Sequence, residues 1–191
     1  YFFYIDGVGT IIHMATIFGT NMGLDSNYLI VILLVVQLVA FPFAILYGKM
    51  SVKYGVRNMI LFGIATYMAV CLVALGLEPL RLMGEIPLLL GFVVLAFLVG
   101  TAQGGIQALS RSFYGKLVPG SSANEFFGFF DIFGKFSAVL GPFLFSLVWD
   151  STQQVHLGII PVLLMFVIGL LLFLKVPSSM KKITLGSHAE K

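Results

Sequence analysis

Charge is what this chain has least of. Only 10% of its 191 residues are Asp, Glu, Lys or Arg, where a soluble domain carries about 25%. A water-facing globule of this length is hard to reconcile with so few charges. Cysteine is nearly absent too. The one thiol, Cys71, excludes an intrachain disulfide and, inside an apolar run, reads as a small packing residue. The three histidines, His13, His156 and His188, are far apart, and no cluster has metal-ligand spacing, so neither a metal nor a cofactor is expected. No Gly-x-x-x-x-Gly-Lys-Ser/Thr loop is present, which argues against an ATP-driven pump. No Gly-x-Ser-Gly lies within an apolar run, which argues against a six-span intramembrane serine protease. No cleavable signal peptide is visible. The chain opens on Tyr1, already in apolar sequence, as expected for a portion of a longer protein.

What is abundant is hydrocarbon. Hydrophobic residues make up 59% of the chain and the mean hydropathy is +1.05. The apolar residues fall into six runs, over 1–20, 28–48, 58–77, 86–108, 124–149 and 156–175. Each approaches the ~20 residues that cross ~30 Å of hydrocarbon. Lipid offers no partner to an unpaired backbone group, so all six are predicted helices. The expectation is an all-α membrane protein, with a six-helix transmembrane unit over 1–177 and a polar tail over 178–191. The basic residues orient it. Lys49, Lys53, Arg57, Arg111, Lys116, Lys175, Lys181, Lys182 and Lys191 all fall on one side of six spans, and Arg81 alone on the other, beside Asp25, Glu78, Glu85 and Asp150. The positive-inside rule makes the first side cytoplasmic, with both ends inside, in the plasma (inner) membrane if the source is prokaryotic. The net charge of +3 reflects this topology and anionic-lipid contact, not nucleic acid.

Polar residues inside the spans are unevenly shared. Span 1 carries Asp6, Thr10 and His13 at helical spacing on one face. Span 2 carries Gln37, span 4 Thr101, Gln103 and Gln107, and span 5 Asp131, Lys135 and Ser137. Span 3 offers only Thr66, Tyr67 and Cys71, and span 6 has no polar side chain. Spans 3 and 6 are therefore expected to face lipid, and spans 1, 2, 4 and 5 to line something wet, a weak repeat of three helices. Asp131 and Lys135 stand one turn apart in a Phe-rich run. They read either as a gating or coupling pair or as a static salt bridge, with Arg111 as another neighbour for Asp131. Asp6 and His13 could carry protons, or be a helix-end residue and an internally bonded imidazole. Gln37, Gln103 and Gln107 suit a polar solute and suit interhelical bonding equally well. Gly100 and Gly104 form a Gly-x-x-x-Gly that lets a neighbouring helix approach. Pro42 and Pro142 remove backbone donors inside their spans.

After span 2 the chain reads Gly48-Lys49-Met50-Ser51-Val52-Lys53-Tyr54-Gly55-Val56-Arg57. This resembles the signature loop of the major facilitator superfamily, with Gly48, Gly55 and Arg57 in place and Val52 where the signature has Asp. Three further segments sharpen the likeness: Tyr4 to Ile12, Gln103 to Ser112, and Glu125 to Lys135. Together they are similar to the vacuole effluxer-like branch, whose eukaryotic members are linked to amino-acid export from the vacuole after autophagy. The resemblance implies twelve helices in two six-helix halves, with this chain as the second. It also implies that the first and fourth helices of each half line a central cavity while the third and sixth face lipid.

The function expected is secondary transport of a small polar organic solute by alternating access, with amino acids favoured through the resemblance and a proton or other ion as the coupling partner. The expected partners are the bilayer, the solute, and a missing six-helix half or another copy of the chain. A non-transporting receptor or scaffold on the same fold is the rival reading. An enzyme is not expected.

Overall fold

A computed structural model of the chain describes residues 1–116, 118 and 123–176. The expected tail over 178–191, with Lys181, Lys182, Lys191 and His188, lies outside the described residues, as does the side chain of Ser137. The described residues are almost wholly helical: α1 (Phe2–Met22), α2 (Ser26–Tyr54), α3 (Val56–Leu75), a short α4 (Leu77–Met83), α5 (Glu85–Gly115), α6 (Ala123–Thr152), a 3-10 turn (Val155–Gly158) and α7 (Ile159–Leu174). Six helices are long and apolar enough to cross a membrane, as the hydropathy runs predict. The chain is an integral, multi-pass membrane protein.

Helix ends follow local chemistry. Gly23, at φ 102°, closes α1, with the Leu24 N–H returning to the Gly19 carbonyl. Asp25 then caps α2, its Oδ1 accepting the Asn27 N–H at 2.7 Å. The expected loop after span 2 is nearly all helix. α2 runs 29 residues and α5 runs 31, about 45 Å each at 1.5 Å per residue. Both outrun the hydrocarbon, so Lys49, Lys53 and Arg111 ride on protruding helical turns. Gly48 is inside α2, not in a turn. Gly55 alone joins α2 to α3, at φ 86°, a conformation that costs a residue without Cβ little.

Packing differs sharply between helices. Only 12% of the apolar stretch of α6 and 17% of that of α2 is buried, against 39–44% for the other four. The sequence reading places the third and sixth spans against lipid. α3 and α7 pack on each other, α3 also on α5 and α7 on α1, while each keeps exposed apolar side chains on another side, Phe62 and Leu72 on α3 and Leu164 and Leu171 on α7. The Tyr67 ring stacks on Phe166 at 5.4 Å, and both are fully buried. Absence of polar side chains marks a helix that can be packed on several sides by hydrocarbon, whether from lipid or from protein; hydropathy does not distinguish the two.

α2 lies along α5 on a seam of small residues. A Cβ on Gly100 would come within 2.9 Å of Val39 and 3.0 Å of the Val36 carbonyl oxygen, and one on Gly104 within 2.8 Å of the Ala44 Cβ. One on Gly105 would run into the Tyr47 ring. The Gly-x-x-x-Gly is thus a packing device, as its spacing suggests.

Candidate solute cavity and the polar residues around it

The bundle has a basic end and an acidic end. At the basic end the Arg57 Nη2 donates to the Leu174 carbonyl at 3.1 Å. This satisfies one of the last carbonyls of α7 and sets a cation against its dipole. Arg111 and Asp131 approach to 3.8 Å there, both substantially exposed. Around them Phe130 is sandwiched between Tyr1 and Tyr114, with ring centroids at 4.1 and 4.4 Å.

This changes the reading of the Asp131–Lys135 pair. The two residues share helical spacing on α6, yet among the described residues Asp131 has its ion pair with Arg111 of α5 and none with Lys135, which is exposed. Periodicity places side chains on one face of a helix but says nothing of a cation brought by a neighbouring helix.

In the half of the bundle toward its acidic end, a cavity of about 110 Å³ opens between α1, α2 and α5, floored by α3 and α7. Three of the sequence-predicted residues meet on it: Thr10, Gln37 and Gln103. The rest of its wall is almost entirely apolar, including Phe18, Leu95 and Val99. The Gln103 Oε1 is buried and has no hydrogen-bond partner, so this acceptor is left open to a bound donor. Gln107 and His13 do not line the cavity and lie on the exposed surface; the His13 Nδ1–H donates to the Gly9 carbonyl at 2.7 Å.

Asp6 is fully buried. Its Oδ1 accepts the backbone N–H of Gly141, in α6, at 3.0 Å. The Thr10 hydroxyl beside it donates to the Asp6 carbonyl at 2.7 Å. A Cβ on Gly141 would collide with the Thr10 hydroxyl and come within 2.9 Å of Asp6 Oδ1. The contact of α1 with α6 therefore needs glycine there. Asp6 is no helix-end residue at a surface; it fastens two helices together.

Sequence reasoning missed three features. Tyr4 and Ser110 form a buried bond of 2.8 Å between α1 and α5; since the Ser110 hydroxyl also lies 2.6 Å from the Ile106 carbonyl, to which it donates, the Tyr4 hydroxyl is the donor to Ser110. The second is the place of Gly141, next to Pro142, at the contact of α1 with α6. At the acidic end an open polar vestibule of about 520 Å³ is lined by Asn21, Glu78, Arg81, Trp149, Gln153 and His156 among others. In it Glu78 meets Arg81 at 3.3 Å and His156 Nδ1 at 3.4 Å. No periodic signal joins Glu78 to His156, because they come from separate connections between spans.

Against known proteins, residues 1–184 match the family described as vacuole effluxer Atg22 like. An uncharacterized MFS-type transporter of Bacillus subtilis, YxiO, is 46% identical over 177 residues, covering 93% of this chain and 39% of the relative. Autophagy-related protein 22 of Pichia angusta is 40% identical over 63 residues, 33% of this chain and 11% of the relative. The same protein of Kluyveromyces lactis is 34% identical over 80 residues, 42% and 16%. The chain thus spans about two fifths of the Bacillus relative's length. No solved structure matches. The polar positions described above sit within the matched stretch, and the chain belongs to the vacuole effluxer Atg22-like family of major facilitator-type proteins.

Proposed function

We propose that this chain forms one half of a secondary transporter that carries a small polar organic solute across a membrane by alternating access. The observation that carries the reading is the convergence of Thr10, Gln37 and Gln103 from three helices on one cavity inside the membrane-spanning bundle, with a buried Gln103 oxygen left unpartnered. Family membership supports it, since the relatives' names are those of an effluxer and a transporter. Amino acids are the favoured solute class. Their ammonium group would supply the donor that Gln103 lacks.

The thinly buried α2 and α6 are the faces against which a second six-helix unit would pack. The gating role at the basic end falls to Asp131 with Arg111. The basic end, with Gly55 and Arg57, lies in the cytoplasm by the positive-inside rule, and the gradient of a proton or another ion drives transport.

The test is uptake by the full-length protein in proteoliposomes, using a labelled panel of amino acids and small metabolites, beside Gln103→Leu. Saturable uptake that falls at least tenfold in the variant, with its elution profile unchanged, is the expected result. A folded wild-type protein that moves no solute of the panel overturns the reading. Flux that ignores Gln103→Leu removes the cavity from it.

A further inference from the structure

We propose that Asp6 is a proton-binding site: neutral, it fastens α1 to α6; charged, it lets them part. The argument starts from what surrounds the carboxyl. Asp6 is fully buried, and of its two oxygens only Oδ1 has a partner, the Gly141 N–H at 3.0 Å. Oδ2 is buried with none. A charged carboxylate here would have one hydrogen bond and no countercharge, in a bundle surrounded by lipid. Leaving one hydroxyl poorly paired costs far less than burying an unpaired charge.

No cation stands ready to neutralise it. Among the described residues Asp6 has no ion pair. On α6 the charged groups toward the basic end are Asp131, paired with Arg111, and Lys135, exposed. α7 contains no titratable side chain between Ile159 and Leu174. On α5 the facing group is Ser110, held by Tyr4, with Arg111 beyond it on Asp131. α2 meets α1 near Gly19, through Leu29, and its Asp25 caps its own helix. The 3-10 turn brings His156, which pairs with Glu78. On α1 itself, His13 is bonded to Gly9 and points to the exposed side.

The same geometry selects a proton over a metal cation. Hard cations gather six or more oxygens. Here Oδ1 already faces an N–H, and the Thr10 hydroxyl gives its hydrogen to a carbonyl. One free oxygen remains, which suits one proton. On binding, Oδ2 takes a proton from water and forms an O–H bond, while Oδ1 keeps its bond to Gly141. On release the proton returns to water and the carboxylate is left with a negative charge, which requires hydration and hence separation of α1 from Gly141. The closed contact binds the proton more tightly than the open one, so it is favoured as pH falls and weakened as pH rises. That this movement serves transport rests on the function proposed above; the site itself is read without any solute.

The test uses the full-length protein in lipid. Infrared difference spectra are recorded across pH for wild type and Asp6→Asn, which keeps an oxygen for the Gly141 N–H. In parallel, spin labels on Ile17→Cys and Leu147→Cys, both exposed, report the α1–α6 distance in a background otherwise free of cysteine. The expected result is a protonated-carboxyl band that titrates away as pH rises and is missing from Asp6→Asn. The label distance should lengthen over the same pH range, and replacing sodium by choline should change neither readout. The proposal is overturned by a band that is absent at every pH, by one that never titrates, or by one that sodium abolishes. A wild-type distance that ignores pH also overturns it, and that measurement stands even if Asp6→Asn does not fold. Absence of solute flux beside a titrating band would sink the transport reading and leave the site.

Discussion

Two helix contacts in this bundle are made in opposite ways. α5 meets α2 through Gly100, Gly104 and Gly105 set against Val39, Ala44 and Tyr47, a dry seam with no carboxyl or amine in it. α6 meets α1 through Gly141 set against Thr10 and Asp6, where the close approach exists to make a hydrogen bond. In lipid both draw on close van der Waals packing, since lipid tails are as apolar as the helices. The difference lies in how each can be undone. The dry seam offers only loss of packing, whatever the solution conditions. The polar contact has a chemical release. One pair suits a fixed frame and the other a moving joint.

The largest effect that would break this contrast comes from the dry seam. Gly100→Ala drives a methyl against a backbone oxygen as well as Val39, and Gly105→Ala meets the root of the Tyr47 side chain. Each should cost about 1–3 kcal/mol through overpacking, read as a lower melting temperature in detergent with no dependence on pH. Next is Gly141→Ala, of similar magnitude, about 1–3 kcal/mol, but with a signature of its own. Thr10→Ala removes the hydroxyl that the new methyl meets, so the double variant should recover part of the loss, as a positive coupling in a double-mutant cycle. Additive losses would mean that α6 simply slides aside. Smaller again is Tyr4→Phe. It deletes the donor to Ser110, whose own hydrogen still goes to Ile106, and should cost roughly 0.5–1.5 kcal/mol in thermal unfolding. The smallest is Arg111→Gln. Its pair with Asp131 is long and exposed, so its loss should change stability by about 0–1 kcal/mol; a larger fall would show that this end is dry in the full-length protein.

The six crossings were legible because lipid demands long apolar helices and little else looks like one. Their ends were not. Lys49 and Lys53 suggested a loop, yet a helix does not stop where the hydrocarbon stops, and α2 continues to Tyr54. The polar residues of spans 1, 2 and 4 were legible as a set, and Thr10, Gln37 and Gln103 do converge. The partners were hidden. Asp6 stands out as a carboxylate in an apolar run, but its bond is to a backbone N–H, which every residue but proline possesses and no sequence pattern marks. Asp131 has two candidate cations in the sequence, Lys135 on its own helix and Arg111 on another, and intrahelical spacing favours the first while only the fold selects the second. Arg111 lies on another helix, and the fold brings it to 3.8 Å from Asp131. The apolar character of spans 3 and 6 serves two surroundings at once: α3 and α7 pack on each other and on the bundle, and each also keeps exposed apolar side chains, such as Leu72 and Leu171.

The bond from Arg57 to Leu174 spans 117 positions of the chain. α7 also supplies Phe166, which fills the space left by Gly7 and stacks on Tyr67, and Gly169, which seats Tyr4. During synthesis these sockets on α1 and α3 are made long before the helix that fills them leaves the ribosome. Until it arrives, the early helices wait in the bilayer with open grooves, available to chaperones or to the wrong neighbour. A chain cut before Ile159 would leave Gly7, Tyr67 and Arg57 without the partners that α7 brings them.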